Sequence, residues 1–322
     1  MIKRIFYLMI MVFILNTHYV FSKESNHQPE PVIIGVYVTD IFGGDIAKRM
    51  VSINFWVWLI YKDKALNPLK YLDIVNAEDV KRLNETIERL PDGRYLASAK
   101  LHVSLHQNWN FVDFPVDDQM IEIMFEDSRF NNSELVYITE ANESGIDSNI
   151  DISGWDITNN YWNKGVHQYY TNFGNENIKG QTSYSRATFH IELERDSLRK
   201  LIQVFGVIYL ACFLAFCIYF LPLDELRGRL GLTTGAIFAL VGNKLLTDNY
   251  LPSSSEMTLV DQVQLISMIF LGFSIIISLI IFYLHKKEHR KFAYALNFIS
   301  MIISVTIIPF MQIYLPLNHM HI

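Results

Sequence analysis

Gly231, Thr233, Thr234, Gly235, Gly242, Asn243, Lys244, Thr247, Asp248 and Asn249 stand within an otherwise apolar stretch. A helix carrying that set is ill-suited to face lipid all round, because polar groups in hydrocarbon need partners. One side of it must meet protein or water. Alternating steps of four and three place Gly231, Gly235, Phe238, Gly242, Leu245 and Asn249 on one stripe, small at one end and apolar in the middle. Such a stripe suits a pore with a hydrophobic constriction at Phe238 that gates by dewetting. The pair Gly231-x-x-x-Gly235 also suits close helix packing, and periodicity alone leaves both readings open.

Other chemistry is sparse. His102 and His106 share one face of a strand, a spacing compatible with a metal site or a proton sensor, although surface histidines without such a role are commoner. There is no Gly-rich phosphate loop, no Gly-x-Ser-x-Gly elbow and no His-Glu-x-x-His zinc signature. No enzyme activity, cofactor or metal is therefore expected. Cys212 and Cys217 both fall inside an apolar run, where neither can staple an exported domain. The net charge of -6 offers no basic stripe for phosphates, which argues against a nucleic-acid partner.

The polar helix is one of four long apolar stretches. Residues 201–221, 230–251, 259–284 and 292–315 each have about the length that crosses a ~30 Å hydrocarbon core, and 51% of the 322 residues are hydrophobic. Arg227 and Arg229 lie in the first connection and Lys286, Lys287, Arg290 and Lys291 in the third, whereas the second carries no Lys or Arg. The positive-inside rule then puts the N-terminal domain and the C-terminus outside the cytoplasm. An export signal agrees: Lys3 and Arg4 precede a short apolar run, and Val20 and Ser22 supply small-residue cleavage chemistry, so residues 1–22 are set apart from the fold.

Residues 31–196 read as a soluble β domain. Stretches at 33–38, 52–61, 95–105, 119–125, 166–173 and 184–192 are rich in β-branched and aromatic residues, with turns at Pro91-Asp92-Gly93 and a break at Gly43-Gly44. Residues 175–182 read as an exposed hairpin tip, and 77–90 as the one helix-like exception. The expected architecture is an immunoglobulin-like β-sandwich followed by a four-helix transmembrane bundle over residues 198–316.

Local motifs sharpen this. The loop Phe111-Val112-Asp113-Phe114-Pro115-Val116-Asp117-Asp118-Gln119 resembles the Phe-Pro-Phe-Asp-x-Gln loop of pentameric ligand-gated ion channels, the Cys-loop receptor family. Gln107 and Ile121 occupy the places of the flanking cysteines, as in its bacterial branch. Asn54-Phe55-Trp56, Asp73-Ile74-Val75-Asn76-Ala77, Gly154-Trp155-Asp156-Ile157, Arg229-Leu230-Gly231-Leu232-Thr233-Thr234 and Asn249-Tyr250-Leu251-Pro252 are similar to further segments of that family. The short link after the third span also fits bacterial members. Departures are Leu72 in place of a proline, Val116 in place of the second phenylalanine, and no proline in residues 201–221. These departures imply a reduced ligand pocket and altered coupling between the domains.

The resemblance implies a homopentamer in a bacterial inner membrane, passing small ions and opened by a small molecule, an amine or protons, bound between subunits. Trp56, Tyr170 and Tyr184 would supply aromatic faces for an ammonium group, with Glu126 as its charge partner and Phe130 as a further candidate. Each of these rings could instead fill a sandwich core. Phe114, Pro115, Asp117, Arg195 and Pro252 would couple the two domains, and the Asp117–Arg195 pair alternatively reads as a static surface salt bridge. Gly228 stands where cation-selective relatives carry Glu; an arginine ring from Arg227 and Arg229 would favour anions, while Asp224 and Glu225 lie beside it. A membrane-anchored binding protein that does not conduct is the alternative function, with a membrane-associated enzyme or transporter behind it.

Overall fold

In a computed structural model, residues 28–45, 48–174, 181–249, 251 and 256–319 are described. The export signal at residues 1–22, Pro252 and most of the hairpin tip at 175–182 lie outside them.

The first half is a β-sandwich. One sheet has the order β4 (Ala77–Arg89), β5 (Tyr95–His106), β2 (Met50–Tyr61), β1 (Glu30–Asp45), β7 (Leu135–Thr139), with the short β8 (Gly145–Ile146) also on β1. The other has β3 (Leu72–Ile74), β6 (Asp118–Asp127), β10 (Thr182–Arg195), β9 (Trp155–Tyr169). Alternation builds the core: Ile53, Phe55, Val57 and Leu59 of β2 are fully buried while their neighbours face outward. From the facing sheet come Ile121, Ile123 and Phe125 of β6 and Phe189 and Ile191 of β10. Phe55 and Phe125 meet edge to face at 6.0 Å across the two layers. Gly35 pairs with Trp58, and a Cβ on Gly35 would sit 2.2 Å from that indole, so no larger residue fits without moving the ring.

Three sequence expectations change here. Residues 77–90 hold no helix: Ala77–Arg89 is an edge strand paired with β5. Register shifts between Ala77 and Asp79 and between Leu83 and Thr86, where Asn84 takes φ 51°, break the two-residue alternation. Val80, Leu83 and Ile87 consequently stand at three- and four-residue spacings that mimic a helical stripe. The strand expected at 166–173 begins eleven residues earlier, at Trp155, and ends at Tyr169. Most of β9 is exposed, so it lacks the apolar period that marks a strand. Gly43-Gly44 is a register shift inside β1 rather than a break. The Pro91-Asp92-Gly93 turn joins β4 to β5, with Gly93 at φ 89°.

Four helices follow: α1 (Ser197–Phe216, continued by one 3-10 turn to Phe220), α2 (Leu226–Asp248), α3 (Leu259–Lys286) and α4 (Arg290–His319). Among the described residues α1, α2 and α3 are long and apolar enough to cross a membrane. Polar ties lock the bundle. Gln264 of α3 donates to the Leu240 carbonyl of α2 at 2.7 Å, and Gln312 of α4 donates to Ser267 Oγ of α3 at 2.7 Å. A capping box of Thr258 and Asp261 starts α3. The architecture is thus a β-sandwich joined to a bundle of four helices, three of which, among the described residues, are long and apolar enough to cross a membrane.

Candidate functional sites

Three groups of residues carry polar or aromatic chemistry that packing alone does not require. The first lies on the four-stranded sheet, where the β9–β10 hairpin meets the end of β6. Tyr169, Phe173 and Tyr184 form a triangle with ring centroids 5.3, 5.8 and 6.3 Å apart. Beneath it Glu126 is almost fully buried, and Arg186 Nε donates to its Oε1 at 2.7 Å. The Tyr169 hydroxyl donates to Glu126 Oε2 at 2.9 Å and accepts from Arg186 Nη2 at 3.1 Å. Burial raises the Tyr169 hydroxyl above its usual range, and the Glu126 charge adds to this; Tyr184 shifts the same way for the same reasons.

Within one chain the residues expected at the ligand site do not come together. Tyr170 is 81% exposed beyond the end of β9, and its neighbour Tyr169 takes the place in the triangle. Glu126 is already bound to a guanidinium, so it holds no unpaired charge for an ammonium group. Phe130 belongs elsewhere: it meets Tyr71 edge to face at 6.3 Å, and the Arg129 guanidinium covers both rings. Trp56 sits on the other sheet, half-buried on the outward face of β2 opposite Tyr37 and Lys100. A single chain therefore does not bring Trp56 to the triangle. Sequence reasoning missed Tyr169, Phe173 and Arg186; the i, i+2 alternation along β10 from Tyr184 to Arg186 was the available signal.

Next to this group, Asp127 is buried with its Oδ1 accepting the backbone N–H groups of Arg129 and Phe130. Burial raises its carboxyl above the usual aspartate range.

The second group is the junction of the two domains. Phe111 and Phe114 of the β5–β6 loop leave the sandwich and are buried against Val204 and Phe205 of α1 and Leu259, Val260 and Val263 of α3. The Val112 carbonyl accepts the Leu259 N–H at 2.7 Å, tying the loop to the start of α3. Pro115 follows Phe114 through a cis peptide. Behind them Arg195 donates to both carboxylate oxygens of Asp117, at 2.7 and 3.0 Å. Its guanidinium lies 4.0 Å from the Trp155 ring centre and 5.1 Å from that of Phe114. The two side chains are 8% and 2% exposed, which replaces the surface-bridge reading with a buried bidentate pair.

The third group is α2. Arg229, Thr233, Ala236, Leu240, Asn243 and Thr247 are buried against the rest of the bundle. Gly231, Gly235, Phe238, Gly242, Leu245 and Asn249 all face away from it, with Phe238 72% and Leu245 63% exposed. Nothing lies within 4 Å of where a Cβ on Gly231, Gly235 or Gly242 would stand, so these glycines are not helix-packing contacts within the chain. Arg229 corrects the arginine-ring reading: it is fully buried, donating to the carbonyls of Leu221 and Pro222 and to Asn297 Oδ1. Asp224, Glu225 and Arg227 are exposed at that end. Lys244 bonds Asp248 and Asp261, linking α2 to α3.

The two histidines separate in role. His102 Nδ1 is 2.9 Å from Asn54 Oδ1 and its ring stacks on Phe42, while His106 is exposed beside Glu78. Among the described residues no cluster of His, Cys, Asp or Glu could hold a metal ion.

No family model matches the chain. It is similar to neuronal acetylcholine receptor subunit beta-3 of Gallus gallus, 21% identical over 304 residues, covering 84% of this chain and 62% of that protein. It is also similar to subunits non-alpha-2 and non-alpha-3 of Carassius auratus, 22% identical over 297 residues and 24% over 298. These cover 84% and 81% of the chain and 61% and 59% of the relatives. The chain spans about three-fifths of the length of the curated relatives it matches. Likeness over most of the chain to receptor subunits supports the pentameric ligand-gated channel family.

Proposed function

We propose that the chain is one subunit of a homopentameric ligand-gated ion channel in a bacterial inner membrane, with the sandwich and the C-terminus on the extracytoplasmic side. The observation that carries this reading is α2: one face is buried and hydrogen-bonded, and the other presents glycines, Phe238 and Leu245 away from the bundle. Five copies around an axis would give that face a common water-filled pore, with Phe238 as the dewetting gate. The ligand would bind between subunits, with Tyr169, Phe173 and Tyr184 on one side and Trp56 of the next subunit on the other. Because Glu126 is held by Arg186, an ammonium ligand would be recognised by the ring faces rather than by that carboxylate.

Ligand binding would be transmitted through the hairpin to Arg195 at its end, across the Asp117 pair, and through the Phe114 loop to the starts of α1 and α3. At the inner mouth each subunit would carry two exposed carboxylates, Asp224 and Glu225, and one exposed guanidinium, Arg227. That balance favours cations. The test is current from purified protein in planar bilayers under a salt gradient, with amines applied to the sandwich side. Unitary currents with a cation-selective reversal potential are expected. Silence from protein shown to be folded and pentameric would favour the non-conducting ligand-binding alternative.

A further inference from the structure

Met120, Glu122 and His190 meet on the outward face of the four-stranded sheet. The antiparallel register sets His190 of β10 opposite Glu122 of β6 and Glu192 opposite Met120, so these side chains share one face. His190 Nδ1 lies 3.0 Å from Met120 Sδ and 3.4 Å from Glu122 Oε1. Tyr161 of β9 stacks on the imidazole at 4.8 Å, and Nε2 is enclosed without a hydrogen-bond partner. Nδ1 is therefore the nitrogen turned toward the thioether and the carboxylate.

Charge and access favour a cation there. The charges that act on the imidazole are Glu122 and Glu192, with no Lys or Arg among them. Met120 also lines an open groove of about 420 Å³ whose walls carry Asp118, Glu192 and Glu194 and no Lys or Arg. A groove lined by one sign of charge concentrates ions of the other. The Glu122 side chain, 30% exposed, opens the cluster to solvent from β6.

Three lone-pair donors thus converge: an imidazole nitrogen, a thioether sulfur and a carboxylate oxygen. A thioether selects Cu(I), and imidazole also suits copper. With metal–nitrogen and metal–oxygen bonds of about 2.0 and 2.1 Å, the 3.4 Å separation of Nδ1 and Oε1 fits an angle of about 110° at the ion. With a metal–sulfur bond of about 2.3 Å, the 3.0 Å separation of Nδ1 and Sδ fits about 90°. Opening that angle to about 120° moves the sulfur by less than about 1 Å, well within the freedom of a methionine with three rotatable bonds. One carboxylate also neutralises a monovalent ion, so no net charge is left at the site.

We propose that His190 Nδ1, Met120 Sδ and Glu122 Oε1 form a binding site for a Cu(I) ion. His190 and Glu122 alone fall short of a metal set; the thioether completes it and supplies its preference. The site shares no residue with the aromatic triangle, the domain junction or α2, and it does not rest on the channel reading.

The test uses the full-length Cys217→Ala protein, in which the remaining cysteine, Cys212, is buried. Cu(I) is supplied under ascorbate without oxygen, and bicinchoninate, whose Cu(I) complex is coloured, reports how much ion the protein withdraws. One equivalent per chain is expected. Met120→Leu is close to isosteric and should fold as its parent does, checked by far-UV circular dichroism. Loss of a mere outer partner of a metal site costs about 10–100-fold in affinity, so Met120→Leu should weaken Cu(I) binding by about a hundredfold or more. His190→Phe should do the same. Should either variant fail to fold, copper X-ray absorption of the loaded Cys217→Ala protein decides: imidazole and sulfur neighbours are expected, and copper without sulfur overturns the site. No withdrawal of copper, or an affinity unchanged by Met120→Leu, overturns it as well. Zn(II) held more tightly than Cu(I) would overturn the role given to the thioether.

Discussion

Replacing Asp117 by Asn would leave the Arg195 guanidinium charged, buried and facing a neutral amide. Asp117 is 2% exposed and Arg195 8%, so water cannot rescue either group. Breaking such a pair from one side costs about 3–5 kcal/mol, because an uncompensated charge stays buried. At ~2–4 °C per kcal/mol for a domain of 150–250 residues, the apparent Tm should drop by about 6–20 °C. Stacking of Arg195 on Trp155 survives this change, which places the expectation toward the lower end. The double variant Asp117→Leu with Arg195→Met removes both charges and fills the space with apolar atoms. It should recover at least ~2 kcal/mol relative to the sum of the singles, since apolar replacement of a buried pair is often neutral. Thermal unfolding of the wild type, Asp117→Leu, Arg195→Met and the double variant closes the cycle. Additivity within ~0.5 kcal/mol would refute a coupled buried pair. In the proposed mechanism the double variant folds yet loses agonist-evoked current, which separates a signalling role from a structural one.

Three further outcomes follow from the same geometry. Arg229→Leu should destabilise the bundle by about 1–3 kcal/mol for each buried acceptor it orphans among Leu221 O, Pro222 O and Asn297 Oδ1, while leaving the reversal potential unchanged; Arg227→Glu should shift that potential toward stronger cation preference at no comparable loss of stability. Arg186→Gln should release the Glu126 carboxylate from its guanidinium and tighten binding of an ammonium ligand, read by titration of the purified protein; weaker binding would mean that Arg186 itself serves the ligand. His190 is buried against Met120 and stacked on Tyr161 at 4.8 Å, and burial lowers its pKa despite the nearby Glu122. The unfolded chain therefore takes up the proton first, and stability should fall as pH drops below about 6.5; His190→Phe should flatten that loss in denaturant titrations at pH 5 and 7.

The sandwich was readable from sequence wherever a strand has one buried face, as in β2, where Ile53, Phe55, Val57 and Leu59 alternate with outward residues. It was misread where strands are solvated on both sides. β4 presents no buried face beyond Ala77 and its bulges convert alternation into helical spacing, and the exposed half of β9 carries Asn159, Asn160 and Asn163 instead of apolar residues. The orientation of α2 was readable because its polar and small residues segregate by helical period. Arg229 was not, since a charge beside other charges at a helix start reads as surface, and only the fold places the Leu221 carbonyl and Asn297, distant in sequence, around it. The aromatic triangle needed strand register: one residue of offset puts Tyr169 rather than Tyr170 against Phe173 and Tyr184. The burial of Asp117 and Arg195 likewise comes from packing of Phe114 and Trp155 around them, which no local pattern encodes.

In the proposed channel one face of α2 lines a common aqueous pore. That placement is tested most directly by single cysteines along residues 231–249 in a Cys217→Ala background, probed during bilayer recording with a charged thiol reagent; Cys212 is buried. Modification should change current at Gly235, Phe238, Gly242 and Leu245, and leave it untouched at Ala236, Leu240 and Asn243, which face the bundle. Reactivity on the second set, or none on the first in a conducting protein, would contradict the account.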